Sequence, residues 1–98
     1  MTKEELIASI SGEMWVGKAL TTKMVDAVFD SIAAALSRGE KVNLSGFGSF
    51  RVVTRAPKIG RNPHTGEPVS IPERFVPVFK AGKRLRETIS GRNTDDFG

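Results

Sequence analysis

The run Gly60-Arg61-Asn62-Pro63-His64-Thr65-Gly66 imposes a chain reversal midway along a basic stretch from Arg51 to Arg74. Asn62 and Pro63 suit the first two positions of a tight turn, because the pyrrolidine ring presets φ and the Asn side chain bonds its own backbone. Gly66 can take φ > 0. On either side, Ile59, Val69 and Ile71 interleave with Arg55, Lys58, Arg61 and Arg74. That alternation predicts a two-stranded ribbon with one apolar and one cationic side. A packed core does not tolerate so many charges, so the ribbon, about residues 55–74, is expected to project into solvent as an arm.

The projection limits the rest of the chain. With 98 residues in all, fewer than about 80 remain to build a core, a size at which association often supplies the missing burial. One domain spanning residues 1–90 and a dimeric state are therefore expected. The charge distribution points to the partner. Residues 1–50 carry a net −1 and residues 87–98 a net −2, whereas residues 51–86 hold nine Lys or Arg against two Glu, a net +7. Such a concentrated positive field marks a polyanion partner, either nucleic acid or an anionic membrane surface. The membrane alternative lacks support, because most of the arm's basic residues alternate with β-branched and Pro residues instead of lying along an amphipathic helix, and no apolar run reaches spanning length. A cationic ribbon fits a duplex groove, and Pro63, otherwise an ordinary turn proline, is the kind of apolar side chain that wedges open a base step.

The flanking segments read as α+β. Thr2 and Glu5 have capping-box spacing ahead of Leu6, Ile7, Ile10 and Met14, which predicts a first helix. After a break at Trp15 to Gly17, the stripe Leu20, Met24, Val25, Val28, Phe29, Ile32, Ala33 and Leu36 predicts a second helix ending at Gly39. The two make a helical hairpin whose apolar surface needs a sheet or a second subunit to cover it. Val42 and Leu44 form a short strand, Gly46-Phe47-Gly48-Ser49-Phe50 reverses the chain, and Arg51 to Thr54 continues into the arm. Phe75 to Phe79 returns, with Pro77 suited to an edge, completing a three-stranded antiparallel sheet. A short helix follows from Gly82 to Ser90, with Leu85 and Ile89 inward and Lys83, Arg84 and Arg86 outward. The polar, acidic segment 91–98 is expected to be a disordered tail.

No enzymatic chemistry has a foothold. Gly82-Lys83 has Pro77 where a phosphate loop needs glycine and Arg84 where it needs Ser or Thr. Gly46 and Gly48 lack the third glycine of a dinucleotide loop. His64 is the sole histidine and cysteine is absent, so neither a metal site, thiol catalysis nor a disulfide is expected. No cofactor or small-molecule substrate is implied. Glu4, Glu5 and Glu13 interrupt any signal-like apolar region, which makes the cytoplasm the expected compartment.

Taken in order, Gly46-Phe47-Gly48-Ser49-Phe50, Gly60-Arg61-Asn62-Pro63 with Thr65-Gly66, and Phe79-Lys80-Ala81-Gly82-Lys83 resemble the HU/IHF family of bacterial, nucleoid-associated, histone-like DNA-bending proteins. The resemblance covers about residues 1–90. It implies an intertwined dimer, a helical base under a saddle-shaped sheet, and two arms that wrap double-stranded DNA. By the same resemblance Phe47, Phe50 and Phe79 match the dimer core, and Pro63 matches the residue that inserts between base pairs. Arg55, Lys58 and Arg61 match basic arm positions, with Asn62 flanking the wedge. Lys80, Lys83, Arg84 and Arg86 lie where the saddle and last helix meet flanking backbone. Arg51, His64 and Arg74 complete the expected DNA-contacting set. HU-like members are mostly indifferent to sequence and IHF-like members pair two different chains on a site. Asn43 and Ser45 lack the charges that one IHF subunit type carries there, which favours the HU-like homodimer, while Arg55-Ala56-Pro57 resembles IHF subunits as closely, leaving a heterodimer subunit as the alternative. Gly17 stands where many relatives carry a Ser cap.

Overall fold

The computed structural model of the protein describes residues 1–91; beyond Gly91, the tail expected to be disordered lies outside the described residues. The first helix, α1, spans Lys3–Met14, and its start is held by Thr2, whose hydroxyl accepts the Glu5 N–H at 3.2 Å. It stops at Trp15, which takes the left-handed conformation (φ 56°) and donates its N–H to the Ser11 carbonyl. An L-residue in that conformation costs roughly 1–2 kcal/mol, and Trp15 is 95 % exposed, so no packing of the indole within the chain offsets the strain. Trp15→Gly is therefore expected to raise stability by up to about 1 kcal/mol after its extra chain entropy is subtracted. Urea titration reads this directly, and a lowered midpoint would show that the indole is packed in the assembled protein.

The second helix, α2, spans Lys18–Ser37 and begins at Gly17 with no side-chain cap bond. Its end closes where Gly39, at φ 78°, donates to Leu36 O and Glu40 N–H reaches back to Ala35 O. An ion pair of 2.7 Å between Lys3 Nζ and Asp26 Oδ1 ties α1 to α2. The hydrogen bond to Asp26, reinforced by its charge, holds the Lys3 ammonium above the usual lysine value.

Three strands form the main sheet: β1 (Val42–Leu44), β2 (Gly48–Arg55) and β5 (Arg74–Ala81), antiparallel in the order β1-β2-β5. Pro77 lies on the edge strand β5, the placement expected for a residue without an N–H. Between β2 and β5 the chain forms a separate two-stranded ribbon, β3 (Lys58–Arg61) with β4 (Pro68–Ile71). The last helix, α3 (Lys83–Ser90), follows Gly82, whose N–H donates to Phe47 O at 2.8 Å. Of its two residues expected inward, Leu85 is half-buried and Ile89 stays exposed.

The glycines of the Gly46-Phe47-Gly48 turn have different duties. Gly46 has φ 82°, while Gly48 is fully packed: a Cβ there would lie 2.5 Å from both the Lys80 carbonyl oxygen and Phe79 Cζ. One of those atoms is backbone, so the clash cannot be relieved by a rotamer change alone. Gly48→Ala is expected to cost about 1–3 kcal/mol by overpacking, measurable as a lower thermal midpoint; an unchanged midpoint would mean that β2 and β5 separate there at no cost.

The single chain is short of core. Among the described residues Ile7, Val25 and Thr21 are the only buried side chains, with Gly48 buried beside them as bare backbone. Phe79 stacks at tilted angles on Phe50 (4.8 Å between centroids) and Phe47 (5.4 Å), yet Phe79 and Phe47 remain 43 % and 49 % exposed. Open apolar grooves flank α2. One of 630 Å³ is lined by Ala33 and Leu36 with Val52, Phe75 and Pro77, and another of 470 Å³ by Val28 and Ile32 with Val42 and Leu44. The radius of gyration, 18.5 Å, far exceeds the roughly 13 Å of a compact chain of this length.

Candidate nucleic-acid interface

Register decides which side chains share a surface. In the β2–β5 ladder Ser49 faces Lys80, Arg51 faces Val78, Val53 faces Val76 and Arg55 faces Arg74. Because side chains alternate across a strand, Arg51, Arg55, Arg74 and Lys80 share one face of the sheet, separated by valines. The other face carries Phe50, Val52, Thr54, Phe75, Pro77 and Phe79 and looks toward α2. The sheet is thus aromatic beneath and cationic above.

The arm does not divide into the two sides expected of it. Lys58 pairs with Ile71 and Gly60 with Val69, while Ile59 pairs with Ser70 and Arg61 with Pro68. Each face therefore holds one cation together with apolar residues, and the expected division into a greasy and a cationic side does not occur. Lys58 and Arg61 stand three apart on one uninterrupted strand, so alternation along β3 itself sends them to opposite faces. Gly60 allows the strands to close up: a Cβ there would sit 2.9 Å from Ile71 Cδ1.

At the tip, Asn62 Oδ1 accepts the His64 N–H at 2.8 Å, the side-chain turn expected for Asn ahead of Pro. Gly66, at φ 75°, donates to Asn62 O (2.7 Å), and Asn62 N–H returns to Glu67 O (2.9 Å). Arg61 reaches over the loop to Gly66 O (3.0 Å). With its backbone locked from both sides, the turn presents Pro63 and His64 to solvent.

At the opposite end of β5, the structure gathers Lys80 and Arg86 around a cleft of 280 Å³ by the Gly46 turn. Lys41 lines the same cleft. It was missed in the sequence because it stands 39 residues before Lys80 in a segment of net negative charge; only the β1–β2–β5 pairing brings the two close. Arg84 lays its stem over Gly46, and Lys83 pairs loosely with Glu87 at 3.9 Å. Of the sequence-predicted set, Arg51, Arg55, Arg74 and Lys80 thus form one surface, Lys58, Arg61, Asn62, Pro63 and His64 occupy the arm, and Lys83, Arg84 and Arg86 sit on α3. No group of metal-ligating side chains occurs among the described residues.

Known proteins share this arrangement. The DNA-binding protein HU of Geobacillus stearothermophilus is 51 % identical over 89 residues, covering 91 % of this chain and 99 % of that one. The integration host factor subunit beta of Nitrosospira multiformis is 43 % identical over 94 residues, covering 95 % and 100 %. Among solved structures, the Anabaena HU–DNA cocrystal structure superposes with a TM-score of 0.85 at 39 % identity, over 94 % of this chain and 100 % of that one. Residues 1–90 match the family described as Bacterial DNA-binding protein, and the chain, with its helical hairpin, cationic sheet and proline-tipped ribbon, belongs to that family.

Proposed function

We propose that the chain is a non-enzymatic architectural protein that binds and bends double-stranded DNA through residues 1–90, acting as a homodimer on the nucleoid in the cytoplasm. The observation that carries this reading is the projecting ribbon with an exposed proline at a locked turn, continuous with a sheet whose outward charges are all basic. The Anabaena relative was crystallised with DNA, which supports the same use of the fold. A second copy is the natural cover for the aromatic cluster and the two grooves beside α2, because a chain with three buried side chains has too little core to stand alone.

The mechanism follows from charge and shape. Arg51, Arg55, Lys58, Arg61, Arg74, Lys80, Lys83, Arg84 and Arg86 neutralise phosphates and release counterions, so affinity falls steeply with salt. Asn62 and His64 flank the wedge in the minor groove while Pro63 unstacks a base step. Its cost of a few kcal/mol is offset by the contacts that wrapping brings. Asn43 and Ser45, both uncharged beside the cationic face, support a reading largely indifferent to sequence. The similarity to an integration host factor subunit keeps pairing with a related chain as the second reading.

Binding of the purified chain to a random-sequence duplex and to the same duplex with a nick, each titrated across salt, separates the two. Salt-sensitive binding to both, tighter for the nicked duplex, is expected. Weak binding to both at low salt would favour the heterodimeric reading.

A further inference from the structure

At the root of the arm, Arg55 and Arg74 face one another as the last pair of the β2–β5 ladder. Like charges directly opposite on one sheet face destabilise an antiparallel pair. Neither guanidinium has a carboxylate within ion-pair distance among the described residues, and Nη1 of Arg74 is buried without a hydrogen-bond partner. An unsatisfied cationic donor is an expensive feature to keep. Directly beyond the pair, Ala56-Pro57 and Pro72-Glu73 belong to neither the sheet nor the ribbon. Proline has no N–H to bridge the gap, so no ladder bond from either proline fixes the arm to the body here.

We infer that the Arg55–Arg74 pair is a phosphate clamp at the arm's hinge: a phosphodiester seated between the two guanidiniums removes their repulsion, draws the orphaned Nη1 of Arg74 out of its buried position onto a phosphate oxygen, and fixes the arm relative to the sheet. The inference rests on the DNA-binding reading and deepens it. Two planar guanidiniums offer the forked donors that match phosphate oxygens, which a lysine pair would not. Arm closure is then coupled to occupation of the saddle, because the same anion that the body binds is the one that locks the hinge.

The test uses the full chain, a random-sequence duplex and two substitutions. Arg74→Gln should lower the slope of log affinity against log salt by about 0.9 for each arm root engaged, and affinity at 0.1 M salt by roughly five- to tenfold per root. Arg55→Gln should lose the same slope, with little further loss in the double variant. In the absence of DNA and at low ionic strength, Arg74→Glu places opposite charges across the strands, so its thermal midpoint should exceed that of the parent while its duplex affinity falls below that of Arg74→Gln. Parental slopes in both Gln variants, or independent and additive losses, would overturn the clamp while leaving DNA binding intact. A parent that ignores the duplex even at low salt would remove both readings.

Discussion

Truncating Phe79 to Ala is expected to cost about 3–5 kcal/mol, the range for deleting a packed aromatic side chain, and to dissociate the proposed dimer at micromolar concentration. Phe79 is the centre of the aromatic cluster: its ring meets Phe50 and Phe47, and its edge lies against Gly48. Nearly half of it is nonetheless exposed in one chain. A ring so placed stabilises twice, once by joining β2, β5 and the Phe47 turn, and again by the surface a second copy would cover. Denaturant unfolding at several protein concentrations, with sedimentation to follow mass, separates the two contributions. A loss below about 1 kcal/mol with unchanged mass would exclude the cluster from the subunit interface.

Pro63→Ala is expected to straighten bound DNA far more than it weakens binding. The tip is built to present this residue: Asn62 accepts from His64, Gly66 closes the loop onto Asn62, and the ring itself stays exposed. Alanine keeps the turn's hydrogen bonds but removes the proposed apolar wedge, so the few kcal/mol that unstacking a step would take are neither required nor used. Phosphate contacts along the arm and sheet remain, and affinity for an intact duplex should change by less than about tenfold. Bend angles from fluorescence transfer between duplex ends measure the effect. Equal angles for variant and parent would remove Pro63 from the wedge role, and a preference for nicked DNA surviving the substitution would place the flexible step elsewhere.

Much of this protein was legible in the order of its residues, wherever the cause is local. Thr2 and Glu5 announced the start of α1, Gly39 the end of α2, and Asn62-Pro63 with Gly66 the arm's turn, because a cap or a positive φ depends on a few consecutive residues. The confinement of basic charge to residues 51–86 likewise needed only counting. The tertiary structure decided what depends on register. Pairing across β2 and β5 placed Arg51, Arg55, Arg74 and Lys80 on a single face, and pairing across β3 and β4 set Ile71 and Val69 beside Lys58 and Pro68 beside Arg61, so that neither face of the arm is purely apolar or purely cationic. A shift of one residue exchanges the faces of a strand, and the pairing that fixes register acts between segments distant in sequence. Lys41 joined the cleft of Lys80 and Arg86 for the same reason. The strain at Trp15 and the close approach at Gly48 were also invisible in sequence, since both are properties of backbone position rather than of composition.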